Sequence, residues 1–507
     1  MSISFVHVMV VEGLFDSLRS SGVDVGFISI PSFVSVDSNN PFINAILNID
    51  SYLSSPSVND ENPSGDARSI FQQFTSHEIT QLYWQFRRRH SVAMQLCELE
   101  IYLLKVIQRC LNLLRFTKTS LIIFGGIPHS FYDYVLLLAS RQNSIPLRIF
   151  QEFPWTPYGC IEYSERLIPI PQPLDHFAYS LPLLDLTYGD LADKLAHNIM
   201  CTGKAFVPEL LVEHNEIDSK AQYWLKSYIK QAEQPESYPE CILKPPVATF
   251  LHIPNATNIS FLRSFSHQTT VTDHSTQSSS LYRHLLHMEQ FQMTIREIVR
   301  NDCNDIYILP LPCEPECSIN PMCNEFVTTS ELVDHCMSLF PKAIILLREH
   351  PGMLGLQGLR ENPHLDPIIS YRYPLHELLV KTPRLRWLPI DISVKYAEII
   401  ENIPIIYAVG TIGVETYIKG KAIVPVATSI LNLAGYFPAQ KIFDSTTIFL
   451  DSWESRSSTP TARCKEIYRH VLPFSPVGRY NGFFHYSAGS DFISAQRLLS
   501  YCLTSGI

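Results

Sequence analysis

No stretch of the chain approaches the roughly 18–20 uninterrupted apolar residues that a membrane-spanning helix needs. The apolar run from Ile101 is broken by Lys105, Gln108 and Arg109. Missing too is an N-terminal basic region followed by an apolar core and a small-residue cleavage site, so the expected location is cytoplasmic, with reduced thiols. Contact at the inner face of a membrane stays open, because amphipathic docking leaves a weaker trace. No Cys-x-x-Cys pair occurs among the 12 cysteines. The tightest group, Cys303, Cys313, Cys317 and Cys323, has irregular gaps that do not suit a structural zinc site. Asp-x-Asp is absent, so no metal is expected to hold a diphosphate. Gly-x-Gly-x-x-Gly is absent, which argues against an ordinary dinucleotide-binding turn. Positive charge is in deficit, with 39 Lys and Arg against 49 Asp and Glu. Such a field repels a phosphate backbone, and nucleic acid is excluded as the expected partner. A single phosphate remains possible, because it needs only a local set of donors.

What is present is an ordinary globular balance, 46% apolar and 17% charged, over 507 residues. That length exceeds one core, since domains usually run to about 100–200 residues, and two large domains are expected. Short apolar runs alternate with helical periods from the start: Phe5–Val11, a helix through Leu14 and Leu18, then Val25–Ile30 ending at Pro31. Residues 51–66 are crowded with Ser, Pro, Asn, Asp and Gly and read as a loop. A long helical region from about Ser76 to Phe116 follows, then the strand Leu121–Phe124, the Gly125-Gly126-Ile127-Pro128-His129 turn, a helix through Tyr132 and Val135, and the strand Leu147–Phe150. Residues 190–245 look mainly helical, Ser264–Ser280 is a polar surface loop, and a helix spans about Leu281–Arg300.

The second alternating series is clearer. It runs Ile306–Leu309, Ala343–Leu347, a helix at Leu375–Val380, Leu385–Leu388, a helix at Lys395–Glu401, Ile405–Val409, a Gly410–Gly413 turn with a helix to Lys419, and Ala422–Val426. Continuous apolar strands separated by helices fit a parallel sheet buried on both faces. The expected class is α/β, with two Rossmann-type domains whose parallel sheets face a central cleft. Ligands in such sheets sit outside the carboxyl ends of the strands.

Three segments fall there. Gly410-Thr411-Ile412-Gly413-Val414-Glu415 leaves a buried strand and opens a helix, so its backbone N–H groups and the Thr411 hydroxyl suit an anionic phosphate, while Glu415 could accept from a ribose or sugar hydroxyl. The same residues also satisfy any tight strand-to-helix turn. His350-Pro351 follows Arg348-Glu349, and its imidazole can donate to a phosphate oxygen; a surface His before a turn Pro is the plain alternative. Pro310, Pro312 and Pro315 stiffen a loop bearing Glu314 and Glu316, which a rigid solvated connector would also explain.

These segments resemble the bacterial capsular and surface polysaccharide biosynthesis proteins, which include Kdo-type transferases of the GT-B fold. The residues concerned are Tyr307–Leu311 with Glu314-Pro315-Glu316, Leu347–Gly352, and Val409–Glu415 with Gly420-Lys421-Ala422. Arg386–Pro389 and Tyr396–Ile400 lie between them in matching order, and Ile127–His129 with Asp133-Tyr134 is a fainter N-terminal counterpart. Pro312 and Glu314 stand where His and Gln are expected, and Arg348 where Lys is.

The resemblance implies a glycosyltransferase of the metal-independent GT-B type, without a cofactor of its own. Its co-substrate is a nucleotide-sugar, a CMP-linked acidic sugar first, and its acceptor a saccharide or glycolipid of a growing surface or capsular polysaccharide. It also implies His350, Pro351, Gly410, Thr411 and Gly413 at the donor phosphate, with Glu415, Glu314 or Glu316 near the nucleoside or sugar. Residues 1–190 then form the acceptor-side domain, 191–300 a helical connection and polar loop, 301–475 the nucleotide-sugar domain and 476–507 a helical tail. Glu152, Asp133 and His129 are the candidates for the base that activates the acceptor. A nucleotide-sugar epimerase of the same fold, and a non-catalytic polysaccharide-assembly protein, are the alternatives. Peripheral association of the chain with a membrane-bound polysaccharide assembly complex is a further expectation.

Overall fold

A computed structural model of the chain describes residues 2–6, 20, 22–29, 43–55, 62–89, 96–128, 130–152, 159–171, 180–181, 186–202, 306–312, 321–323, 325–348, 375, 378–379, 381–388, 403–434, 459–470 and 472–473. The expected helices at 281–300 and 395–401, the polar loop at 264–280 and the helical tail at 476–507 lie outside the described residues, as does the expected helix at 14–22 apart from Ser20 and Gly22.

The first half builds a seven-stranded sheet from β1 (Ser2–Val6), β2 (Asp24–Ser29), β3 (Ile43–Leu47), β4 (Leu121–Phe124), β5 (Leu147–Glu152) and β6 (Gly159–Tyr163), with β14 (Leu472–Pro473) arriving from the far end of the chain. Its order is β14-β6-β5-β4-β1-β2-β3. Strands β1 to β5 are mutually parallel, with Ile3 opposite Leu121 and Ile122 opposite Leu147; β6 runs antiparallel to β5, and β14 antiparallel to β6. A two-stranded ribbon, β7 (Ser180–Leu181) and β8 (Leu186–Thr187), stands apart.

The second half builds a five-stranded, wholly parallel sheet from β9 (Ile306–Pro310), β10 (Ile344–Arg348), β11 (Leu385–Leu388), β12 (Ile405–Tyr407) and β13 (Ile423–Pro425), in the order β11-β10-β9-β12-β13. Counted within each half, both sheets carry the order 3-2-1-4-5, the arrangement of doubly wound dinucleotide-type folds. The expected α/β class with two Rossmann-type sheets is therefore what the chain adopts.

The strands are apolar because both sheet faces are covered. Leu121, Ile122, Ile123 and Phe124 are all buried, as are Ile306, Tyr307, Ile308 and Leu309. On the first sheet lie α1 (Ile49–Ser54), α2 (Gly65–Gln72), α3 (Ser76–Arg89), α4 (Leu96–Phe116) and α5 (Phe131–Gln142). Every residue from Phe131 to Ser140 is buried, the pattern of a helix enclosed on all sides. Phe131 meets Phe86 edge-on at 5.1 Å, and the Tyr102 and Tyr132 hydroxyls bond at 2.7 Å. Burying each such large apolar side chain contributes about 1.5–3 kcal/mol.

Several features differ from the sequence expectation: the first strand is Ser2–Val6 rather than Phe5–Val11, and β3 and β6 were not expected. The stretch read as a loop at 51–66 begins inside α1, which Asn48 caps by accepting from Ser51 N–H, while Ile49 and Leu53 bury one face. The long helical region is two helices, α3 and α4. Farther on, α6 (Tyr188–Thr202) packs against α9 (Pro460–Tyr468), and β14 follows α9 back into the first sheet. The second sheet is covered in part by α7 (Thr329–Leu339) and α8 (Thr411–Ile418). No helix among the described residues is long and apolar enough to cross a membrane.

Candidate functional site

In the second sheet the chain runs outward from β9 to β10 and β11 on one side, then returns to β12 and β13 on the other. The strand order therefore reverses between β9 and β12, and the carboxyl ends of those two strands flank the crevice where doubly wound sheets bind ligands. Pro310-Leu311-Pro312 leaves β9 at this edge. Its Leu311 N–H donates to the Arg348 carbonyl at 2.8 Å, which fixes the end of β10 against it.

On the other side of the crevice, β12 passes through Ala408, Val409 and Gly410 into α8. Gly410 is the residue before the helix, exposed, with φ 101° and ψ 179°. That backbone region belongs essentially to glycine. No side chain caps the helix from this position, so its first N–H groups have no acceptor there. Gly413 is a glycine for a different reason. A Cβ at that position would lie 2.2 Å from the Tyr407 ring. The Tyr407 hydroxyl in turn donates to the Gly410 carbonyl at 2.7 Å, so a single buried ring both supports the helix and pins the turn.

Thr411 is the first residue of α8, and Glu415 the fifth. Glu415 therefore lies in the second turn of the helix and is only 8% exposed. Arg348, the last residue of β10, is its electrostatic partner. Loss of water around the guanidinium lowers the Arg348 pKa from its usual value, and the Glu415 charge opposes that shift. The residue keeps solvent-exposed surface, and arginine stays charged at any physiological pH.

Around the end of β13 lies a residue the sequence reading did not single out. Glu325 Oε1 accepts from Thr428 N–H at 2.9 Å and from Thr428 Oγ1 at 2.5 Å, tying the segment before α7 to the loop beyond β13. His335 of α7 lies against Phe326 at 5.1 Å. Burial lowers its pKa and the Glu325 charge partly offsets this. A sequence separation of 103 residues left no local signal for the Glu325–Thr428 pairing.

The candidates on the first half separate into a placed and an unplaced group. Asp133 opens α5, where it is fully buried; Ser130 Oγ donates to its Oδ2 at 2.7 Å and accepts from its N–H at 3.2 Å. Glu152 ends β5, opposite Cys160 of β6. His129 lies outside the described residues, as do His350, Pro351, Glu314 and Glu316. The structure thus brings Gly410, Thr411, Gly413 and Glu415 to one edge and adds Arg348 to them. Among the described residues no group of three or more His, Cys, Asp or Glu is placed to hold a metal ion.

No protein-family model matches the chain, and no curated protein matches it. Among solved structures it is similar to a UDP-GlcNAc 2-epimerase from Neisseria meningitidis bound to UDP-GlcNAc, at 10% identity over the whole of both chains and a TM-score of 0.23, a likeness too low to support any argument.

Proposed function

We propose that the chain is a glycosyltransferase that takes a sugar from a nucleotide-activated donor, a CMP-linked acidic sugar first, and adds it to a growing surface or capsular polysaccharide. The observation that supports this reading is the Gly410–Glu415 turn. It stands at the strand-order reversal of a parallel sheet, with an uncapped helix start and a cation at the same edge. Phosphate groups bind such helix starts because the N–H donors and the helix dipole act together.

In this reading residues 301–475 hold the donor, with His350, Thr411 and the helix N–H groups on the phosphate and Glu314 or Glu316 on the sugar or nucleoside. Stabilising the leaving phosphate is the main electrostatic task of the transfer. Residues 1–190 present the acceptor. The base must come within about 2.6–3.2 Å of the acceptor hydroxyl. Glu152 and His129 are the candidates kept for that role, since the buried Asp133 carboxylate would first have to be uncovered.

The test is thermal stabilisation of the full chain by a panel of CMP-, UDP- and GDP-sugars. A ligand at 100 times its Kd adds about 2.7 kcal/mol, a readily measured rise in melting temperature. Stabilisation by a CMP-sugar, followed by transfer to an oligosaccharide acceptor, is the expected outcome. Conversion of the nucleotide-sugar to its epimer without an acceptor would replace transfer by epimerisation. No stabilisation by any of the three classes would overturn the reading.

A further inference from the structure

We propose that α9 and β14 form a releasable clasp, an element that docks and lets go as one unit, and that Arg463 is the latch that holds it. The inference concerns how the two halves are coupled and does not depend on what the second half binds.

Neither part of the clasp is stable by itself. At nine residues α9 is shorter than the roughly 12–15 that an isolated helix needs in water. It persists because it is packed against α6 and α8, with Cys464, Ile467 and Tyr468 buried along one face. Strand β14 contributes only Leu472 and Pro473, opposite Cys160 and Gly159, and Pro473 brings no N–H to that pairing. So short a strand stays on β6 only while the helix before it is docked.

The latch lies in the second half. Arg463 Nη1 donates at 3.0 Å to the carbonyl of Ile418, the last residue of α8. This gives a helix-end carbonyl a donor and puts a cation at the negative end of the helix. Gly420 makes room for it, since its φ is 77° and a Cβ there would fall 2.5 Å from the same nitrogen. The Tyr417 hydroxyl donates to Glu466 Oε2, on the next turn of α9. By contrast, Lys465 and Asp193 of α6 meet at 3.9 Å with both side chains exposed, a contact that adds little. Two polar ties of α9 thus go to α8, while the strand that follows α9 sits at the edge of the first sheet. Release of α9 frees the end of α8 and bares the outer edge of β6, which the clasp otherwise keeps from pairing with another strand.

The plainer account is that Arg463 is a local cap for α8 and that β14 holds its own place. Hydrogen exchange of the full chain, resolved by peptide, separates the two. In the unaltered chain the β6 amides that face β14 are expected to open with the same free energy as the α9 amides, ahead of the Leu121–Phe124 amides in the middle of the sheet. Arg463→Ala is expected to speed exchange in both α9 and β6 by about 5- to 30-fold, the loss of one charge-assisted bond, with Leu121–Phe124 unchanged. Tyr417→Phe, which keeps the ring and loses only the hydroxyl, is expected to act on the same two segments by a smaller factor, and covers the case in which the alanine variant does not fold. Lys465→Ala, which breaks the exposed pair, is expected to leave both within about 3-fold of the unaltered chain. Acceleration that stays within α8 or α9 while β6 is unmoved in both latch variants overturns the inference. A β6 edge that opens independently of α9 in the unaltered chain overturns it as well.

Discussion

A methyl group at position 413 tests how the turn is built. In Gly413→Ala the new Cβ falls 2.2 Å from both Cδ2 and Cε2 of Tyr407 and 2.5 Å from Cγ. Carbon atoms rest at about 3.5–4.0 Å, so relief of more than about 1 Å is required. The ring has little room to supply it, because Tyr407 is 2% exposed and its hydroxyl is bonded to the Gly410 carbonyl. Either the ring moves, overpacking the core at about 1–3 kcal/mol and losing a hydrogen bond of about 1 kcal/mol, or α8 lifts from β12 with a similar cost. The sum is about 2–4 kcal/mol. For a unit of 150–250 residues each kcal/mol lowers the melting temperature by about 2–4 °C, so a drop of roughly 5–15 °C is expected.

The assay is a double-mutant cycle read by thermal unfolding. Tyr407→Ala removes the Cγ, Cδ2 and Cε2 atoms that the new methyl strikes, so Gly413→Ala should cost at least about 1 kcal/mol less in that background than alone. Nucleotide affinity supplies a second readout, since lifting α8 displaces the N–H groups that the donor phosphate would use. A Gly413→Ala chain that melts within about 1 °C of the unaltered chain, with equal nucleotide affinity, would refute the geometry of the turn and the site argued from it.

Burial separates two ion pairs of the first half. Arg148→Ala removes an ion-pair partner of Glu162, whose side chain is 1% exposed and accepts at 2.7 Å, and should cost up to about 3–5 kcal/mol; Arg115→Ala breaks the exposed pair with Asp66 and should cost under about 1 kcal/mol, a contrast that urea melts will show. Among the described cysteines, Cys97 is exposed and Cys110, Cys160, Cys323, Cys336 and Cys464 are buried, so site-resolved mass spectrometry after alkylation should find Cys97 modified quickly and the other five only in denaturant. Burial pushes the Cys464 thiol up to about 12 and raises Cys110, Cys323 and Cys336 as well; unfolded thiols ionise from about pH 8.5, so stability should be flat in this respect below that pH and decline above it. On the acid side the folded pKa of His335 is lowered, so its contribution is present above the unfolded value of about 6.5 and is lost as pH falls below it. His335→Gln should flatten that part of the pH–stability curve.

The strands of the second sheet and β4 were legible because each is a short apolar run in a buried parallel sheet, whereas Ile43–Leu47 and Gly159–Tyr163 were not singled out and the first strand, expected at Phe5–Val11, is Ser2–Val6. Leu121–Phe124 and Leu385–Leu388 have the expected limits, and Ile344–Arg348 is displaced by one residue. The return of the chain to the first sheet was not legible. Two residues, Leu472 and Pro473, pair with Cys160 and Gly159, and a two-residue strand has no periodicity to detect. Helix α1 was hidden by its polar neighbours, although Asn48 before Ile49 and Asp50 is a capping signal in its own right.

The site divides along the same line. Gly410 and Gly413 were visible as glycines in a strand-to-helix turn, but the reasons for them are separate and only one is local. Gly410 is required by its own backbone angles. Gly413 is required by a ring that packs beneath the helix, and nothing in the spacing of the two residues announces that contact. Arg348 looked like one charge in a polar turn. It gains its significance from the strand order, which places β10 and β12 on opposite sides of β9 and is not encoded in any local period. A sequence reading therefore identifies the turn that could receive a phosphate. That the end of β10 shares a carboxyl edge with this turn becomes apparent only from the order of the strands.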